Sequence, residues 1–482
     1  MTQQWDVLIA GGGVVGASIA RELSRYDLKT ALVEANSDLA LGTSGANSGI
    51  VHAGYDAMPG TLMAELNVRG NAMYPELCRK LEIPFEPIGS LVLAFDEEDE
   101  KTIQKLYDRG QVNGVPELKI LSAEEVKAME PHVTETVRGA LYAPTAGVVS
   151  PYEATIAIAE NAAENGVSFY LEHPVTAVRK TEDGFVVTAG GEEFACKILI
   201  NCCGVHAHEL SQMAGGEPFK VTGRKGEYIL YDKNLGGYVS HVLFQPPSKM
   251  GKGILVTQTA EGNMLIGPSS MDVDDIDDTA TTQEGLDGVL VTARRSCPEL
   301  PAGGAITTFA GMRAVIGDDF IIRYSDMVDG LLQTAGICSP GLTAAPAIAE
   351  KVAALVGERL TLKAKENWKD TREGIPPFNK LDWDARQKLI EQDPAYARMV
   401  CRCETVTEGQ IVKALHSPIP VYTIDGVKRR CRAGMGRCQG SFCTPRVMDI
   451  IARESGIPFA EISKNGPDAK LITGTLKGGA AE

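Results

Sequence analysis

The sequence predicts an α/β chain: a nucleotide-binding βαβ body interleaved with a mixed or antiparallel sheet, then a small cysteine-rich helical module. Three observations predict it. A turn, Gly11-Gly12-Gly13, directly follows an apolar run and directly precedes a helical pattern. Short strand-like runs dominate from about 218 to 335. Near the C-terminus Cys401, Cys403, Cys438 and Cys443 read C-x-C, a long gap, then C-x4-C.

Size and composition narrow the class. A chain of 482 residues exceeds a single core, so two or three domains are expected. Hydrophobic content of 44% and mean hydropathy near zero describe an ordinary soluble globular protein. A net charge of −16 argues against a non-specific nucleic-acid binder, which needs a basic surface. No apolar run approaches the ~20 residues that span a bilayer, so any membrane contact is expected to run through a partner. "MTQQWDVLIAGGG" runs straight into a strand and a turn, so no signal peptide is expected. The cysteine count is 11, and Cys196, Cys202 and Cys203 sit in apolar strand-like text. That usage fits a reducing cytoplasm better than a disulfide scaffold.

The elements follow in order. Residues 5–10 read as a buried parallel strand, Val14 to about Tyr26 as a helix, and 29–35 as a strand ending at Glu34. Residues 35–55 are small, polar and Gly-rich, hence a loop. Residues 59–82 look helical, 89–95 a strand, 97–113 an acidic helix and 151–165 a helix. Turn signals at Asp183-Gly184 and Gly190-Gly191 separate strands, and 196–204 is a strand ending in glycine. "EYILYD", "GILVTQT" and "NMLIGP" are strands, with one helix near 281–297. Residues 330–357 read strand, Gly/Pro turn, helix. The charged stretch 359–396, with Pro376-Pro377, is a linker or wrapping segment. The cysteine module runs from 397 to 465, and the tail 466–482 is expected to be poorly ordered toward its end. No internal repeat is seen.

Gly11, Gly13 and Gly16 match G-x-G-x-x-G between a strand and a helix, a Rossmann-like arrangement. The first allows the tight turn, the second lets backbone approach a pyrophosphate, and the third lets helix and strand pack closely. Val14 and Val15 open the helix whose N-terminus favours the anion. Glu34, 18 residues after Gly16, can accept hydrogen bonds from ribose hydroxyls and disfavours a 2′-phosphate, so NADP is not expected. The fingerprint alone does not separate FAD from NAD.

"GTSGANSGIVHAGY" (42–55) and "TAGICSPGLTAAPAIAE" (334–350) resemble the D-amino-acid-oxidase-like flavoproteins. There the first stretch passes beside the isoalloxazine and the second closes the flavin pocket. More closely, the order of "NSGIVHAG" (47–54), "RKGEYILYD" (224–232), "GKGILVTQTAEGNMLIGP" (251–268) and "FAGMRAVIGDDFII" (309–322) resembles FAD-dependent glycerol-3-phosphate dehydrogenases and oxidases and the neighbouring L-2-hydroxyglutarate dehydrogenases, over roughly 4–358. "NCCGVHA" (201–207) departs mildly from the expected alanine-rich form. The resemblance implies an oxidoreductase domain over 1–358, with FAD-binding parts at about 1–80, 150–215 and 325–358 and substrate-domain parts between. It implies FAD contacts at Gly11, Gly13, Val14, Val15, Gly16, Glu34, Thr43, Ser44, Asn47, Ser48, Gly49, Val175, Cys203, Gly204, Gly336, Gly341, Leu342 and Thr343.

For chemistry, His52 lies in the loop that by resemblance crosses the flavin. Oxidation of a secondary alcohol needs a base for the hydroxyl proton, and histidine suits. Arg313 is expected to bind a substrate anion through its guanidinium fork. Lys252, between glycines, is a second substrate candidate; Arg224 and Lys225 are weaker ones. His206 and His208 are read as structural.

Four thiolates in two close pairs hold either zinc or a [2Fe–2S] cluster. The module resembles the [2Fe–2S] domain of bacterioferritin-associated ferredoxin, which is also fused to some glycerol-3-phosphate dehydrogenase-like proteins. The resemblance implies a cluster on Cys401, Cys403, Cys438 and Cys443, with Cys431 a bystander. Arg402, Arg429, Arg430, Arg432 and Arg437 are expected to stabilise its negative charge, and the glycines of "AGMGRCQG" to let N–H groups reach sulfur.

The expectation is an FAD- and [2Fe–2S]-containing dehydrogenase of a small anionic 2-hydroxy compound, sn-glycerol 3-phosphate first and L-2-hydroxyglutarate as its rival. Electrons leave through the cluster to an acceptor subunit, a second flavoprotein or a quinone-linked chain. From another class, the chain is a redox sensor or an assembly subunit.

Overall fold

The computed structural model describes residues 3–247 and 253–474. Five parallel strands form the centre of an eight-stranded sheet: Gln3–Ala10 lies between Thr30–Val33 and Glu192–Asn201, with Ser168–Tyr170 and Leu331–Ala335 outside them. Residues 7–10 and 30–33 are wholly buried, as strands covered on both faces must be. Helices Val14–Leu23, Pro151–Glu164 and Gly341–Gly357 cover one face, packing Ala17, Ile19, Ile156, Ile158, Ile348 and Val352 into one core. The first helix stops at Leu23, short of the expected Tyr26. The chain turns there because Arg25, Tyr26 and Asp27 pair with residues 363–365 of the later charged segment.

A second sheet of nine strands is mostly antiparallel. Thr222–Tyr231 pairs along its length with Ala305–Val315, and Ser90–Ala94 pairs in parallel with Val242–Phe244. Helix Leu62–Leu81 links the two halves; Thr61 caps it through Ala64 N–H, and Asp319 accepts from the N–H groups of Leu62 and Met63. The acidic helix is Glu97–Asn113, capped by Asp96 and ended by Gly114 at φ +79°.

Residues 359–396 lie along the body. Arg372 ion-pairs with buried Glu160 at 2.6 Å, and Trp368 Nε1–H donates to Ser24. The segment also holds an unexpected helix, Trp383–Gln392, capped by Asp382. None of its side chains is buried, so its sequence carries no apolar stripe to read. The cysteine module has its own core: Val400 on strand Met399–Cys401 packs with Ile411, Leu415, Val427, Val447 and Ile451 on helices Glu408–Leu415, Ile424–Cys431 and Thr444–Ser455. Of the tail, residues 475–482 lie outside the described residues. No helix among the described residues is long and apolar enough to cross a membrane.

Candidate active site and cluster site

Strand register decides which residues share an edge. Ala10 lies opposite both Val33 and Asn201, and Asn201 lies opposite Gln333. Gly11, Glu34, Cys203 and Gly336 therefore follow strand ends on one side of the sheet, the carboxyl edge where parallel α/β sheets bind ligands. Gly11 has φ +113°, and a Cβ there would stand 2.3 Å from the Cys202 carbonyl oxygen. A Cβ on Gly16 would stand 2.0 Å from the Gly11 carbonyl oxygen. No larger residue fits either place. Gly13 caps the helix without a side chain, Val14 N–H donates to Ser44 Oγ at 2.9 Å, and half-buried Val15 packs on the adjoining core. Glu34 accepts from Gly12 N–H at 2.6 Å and from Asn36 Nδ2 at 2.7 Å. Val175 and Cys203 pack on the cluster formed by Ala10, Ala31 and Val33, and Gly204 starts the next turn at φ +58°. A tight glycine turn, a helix N-terminus and a carboxylate at the second strand end fit a dinucleotide.

The loop after Glu34 runs onto the second sheet. Thr43 donates to the Met312 carbonyl, and a Cβ on Gly311 would stand 1.8 Å from the Ala46 carbonyl oxygen. Asn47 Nδ2 donates to the carbonyls of Thr43 and Ser44, while its Oδ1 accepts from Gly49 N–H. Ser48 hydrogen-bonds the Tyr228 hydroxyl. His52 follows the short strand Ile50–Val51. Its N–H donates to Thr343 Oγ1 at 2.9 Å, and its carbonyl accepts from Asn67 and Asn71. The Gly341–Gly357 helix supplies Thr343, and the Leu342 carbonyl accepts from Tyr74.

The His52 ring stacks on Phe244 at 5.8 Å, and Ser339 Oγ lies 3.4 Å from its Nε2. It stands at the junction of two open cavities, one lined by Met63, Asn67 and Pro340, the other by Leu106, Phe244 and Gln245. Both are also lined by Tyr55 and Asp56. Sequence reasoning missed Tyr55, Asp56 and Phe244 as lining residues. Nothing in "GYDA" or "VLFQPP" marks a cavity; Ser339 lay within the Gly/Pro turn already singled out.

Arg313 is in mid-strand, opposite Arg224. Its guanidinium donates to the carbonyls of Arg224, at 3.2 Å, and Ser269, at 3.1 Å. These partners are neutral, so they position the charge without cancelling it. His52 faces the 338–340 turn through Ser339. Arg224 is occupied by Asp272, Lys225 by Asp278, and His206 by Glu209 and Asp277. Lys252 lies outside the described residues.

The four cysteines come together in two pairs. Cys403 Sγ stands 3.7 Å from Cys438 Sγ, and the Cys443 thiol hydrogen-bonds Cys401. The bond from Cys443, then the N–H groups of Gly434 and Glu404, bring Cys401 down to about 6. Gly440 and Phe442 N–H groups face Cys438. Two sulfur pairs with N–H groups on them suit two irons with two thiolates each. Cys431 is buried, donates to the Val427 carbonyl and is pushed up to about 12 by burial.

The arginines correct the expectation. In the oxidoreductase body, Arg429 and Arg430 hold Asp38, Arg437 holds Asp232, and Arg432, paired with Glu404 of its own module, reaches Tyr152 and Glu261. Their charge fastens the module to the body. Arg402 alone of the five is exposed without an ion pair recorded among the described residues.

Behind Arg432 sits a buried acid pair. Burial, then the adjacent Glu261, push Glu153 up to about 8, against the opposing pull of Arg432 and Arg372. Folded Glu153 thus keeps a proton that the unfolded chain releases near 4.5. The folded state binds more protons, so this group costs stability as pH rises from about 4.5 to about 8. Glu153→Gln mimics the protonated acid. Its melting temperature relative to the parent should be higher at about pH 8.5 than at about pH 5.5. A difference independent of pH would show that Glu153 is ionised in the fold.

Comparisons with known proteins complete the picture. The family model "FAD dependent oxidoreductase" matches residues 6–355, and "BFD-like [2Fe-2S] binding domain" matches 399–453. The chain is 48% identical to the glycerol 3-phosphate dehydrogenase of Caloramator mitchellensis, over 98% of this chain and 99% of that one. It is 34% identical to the glycerol 3-phosphate oxidase of Mycoplasma genitalium, over 79% of this chain and all of that one. The FAD-bound L-alpha-glycerophosphate oxidase of Mycoplasma pneumoniae matches with a TM-score of 0.74 at 32% identity, covering 77% of this chain and 99% of that one.

Proposed function

The chain belongs to the FAD-dependent oxidoreductases and carries a BFD-like [2Fe–2S] domain, and on that premise we propose that it oxidises sn-glycerol 3-phosphate to dihydroxyacetone phosphate. The observation that carries this reading is the match to a glycerol 3-phosphate dehydrogenase through both domains, at 48% identity. When bound, FAD supplies the two-electron acceptor for the alcohol carbon and the cluster a one-electron carrier.

The chain's own residues supply the rest. Gly11, Gly13, Gly16 and the helix behind them receive the pyrophosphate, and Glu34 the ribose. Thr43 to Gly49, with Gly336 to Thr343, shape the flavin pocket. His52 takes the hydroxyl proton, at a cavity wall where substrate can reach it. Arg313 binds the phosphate with a charge its neutral partners leave available, and Lys252 is a second candidate for that anion. Cys401, Cys403, Cys438 and Cys443 would hold the cluster, and the expected partner is an electron-acceptor protein.

An anaerobic substrate screen tests the reading. Glycerol 3-phosphate should bleach the flavin at concentrations where L-2-hydroxyglutarate does not, and Arg313→Ala should need more substrate for the same bleaching. The reverse order of substrates would give the site to the hydroxy acid. No bleaching by either would favour a sensor or an assembly subunit.

A further inference from the structure

The loop between Glu34 and Ser44 closes on the glycine turn at three points. Gly12 N–H reaches Glu34, Ala40 N–H reaches the Gly12 carbonyl at 3.1 Å, and Val14 N–H reaches Ser44. In the middle of this loop Asp38 is fully buried. It lies in the oxidoreductase body, but its carboxylate is held by the cluster module. Arg430 grips it with two parallel bonds, Nη1 to Oδ2 at 2.9 Å and Nη2 to Oδ1 at 3.0 Å, and Arg429 Nε adds a third at 2.9 Å. Arg430 is itself fixed by the carbonyls of Gly426 and Ile419. A bidentate pair closed off from water is strong in geometry and costly to break from one side.

We propose that Arg430 is a positioning residue for the dinucleotide site: the docked cluster module holds the Glu34–Ser44 loop in its FAD-binding form. The proposal rests on the reading that the glycine turn and Glu34 hold FAD. Binding of FAD and docking of the module then stabilise each other, because both need the same loop conformation. The coupling is reciprocal by thermodynamic necessity.

The test measures FAD affinity by fluorescence titration of deflavinated full-length chain, with the cluster checked by electron paramagnetic resonance after reduction. Arg430→Gln should keep its cluster signal and bind FAD more weakly, within the roughly 5–150-fold span usual for coupled sites. Arg430→Lys, which keeps the charge but loses the fork, should fall between the variant and the parent. If Arg430→Gln fails to fold, Arg430→Lys and the unaltered chain decide. In the latter, added FAD should slow hydrogen exchange in helix Ile424–Cys431. Unchanged affinity in a cluster-bearing Arg430 variant, or unchanged exchange on adding FAD, overturns the proposal. Glu34→Ala separates the two readings. If it leaves FAD affinity intact, the site assignment has failed; if it weakens FAD while the Arg430 variants do not, only the coupling has failed.

Discussion

Cys403→Ser should abolish turnover with the natural electron acceptor while glycerol 3-phosphate still bleaches the flavin at a near-normal rate. Cys403 is the exposed member of the four cysteines, and its partner Cys438 is only half-buried. Cys401 and Cys443 belong to the module's core; Cys403 does not. Serine at 403 therefore removes one proposed cluster ligand without opening a cavity. Cys403 is not among the residues that line the two cavities at His52, so the reductive half-reaction is expected to be unchanged. Stopped-flow bleaching and acceptor assays on the same sample separate the two steps. Normal turnover in a variant that has lost its cluster signal would make the module a docking or structural part. Cys431→Ser is the matched control and should keep the cluster, because that thiol is committed to the Val427 carbonyl.

His52→Ala should do the opposite, slowing bleaching by about the 10²–10⁴-fold typical of a lost general base. The loop is expected to hold its shape. The bonds to Thr343, Asn67 and Asn71 all use the backbone of His52 and do not depend on the imidazole. A base must be neutral to accept a proton, so the parent's bleaching rate should rise with pH along a limb that the alanine variant lacks. A variant with normal bleaching and an unchanged pH profile would reduce His52 to a lining residue.

The sequence showed the chemistry more readily than the contacts. Gly11, Gly16 and Glu34 were legible because each answers a local demand: a turn too tight for a Cβ, or an acid at the end of a strand. The helices at 97–113 and 341–357 were legible as continuous runs, the first acidic and the second apolar after a Gly/Pro turn. The five arginines of the module were legible as charges, but their partners were not. Asp38 and Arg430 stand 392 positions apart, and no local pattern links them. Tyr55, Asp56 and Phe244 line cavities only because distant segments converge there.

The clasp on Asp38 also has a consequence for how such chains are inherited. A carboxylate sealed from water by another domain's guanidinium cannot be acquired alone without penalty, and the arginines without it would lose their socket. An acid at position 38 should therefore travel through the lineage together with arginines at 429 and 430. Relatives such as the Mycoplasma genitalium oxidase, whose full length spans only 79% of this chain, are expected to carry a different residue there. For the same reason, cutting this chain after its oxidoreductase body would not recreate a stand-alone oxidase. It would strip away the arginines that hold the Glu34–Ser44 loop through Asp38, and restoring independence would take changes that fix that loop without the module.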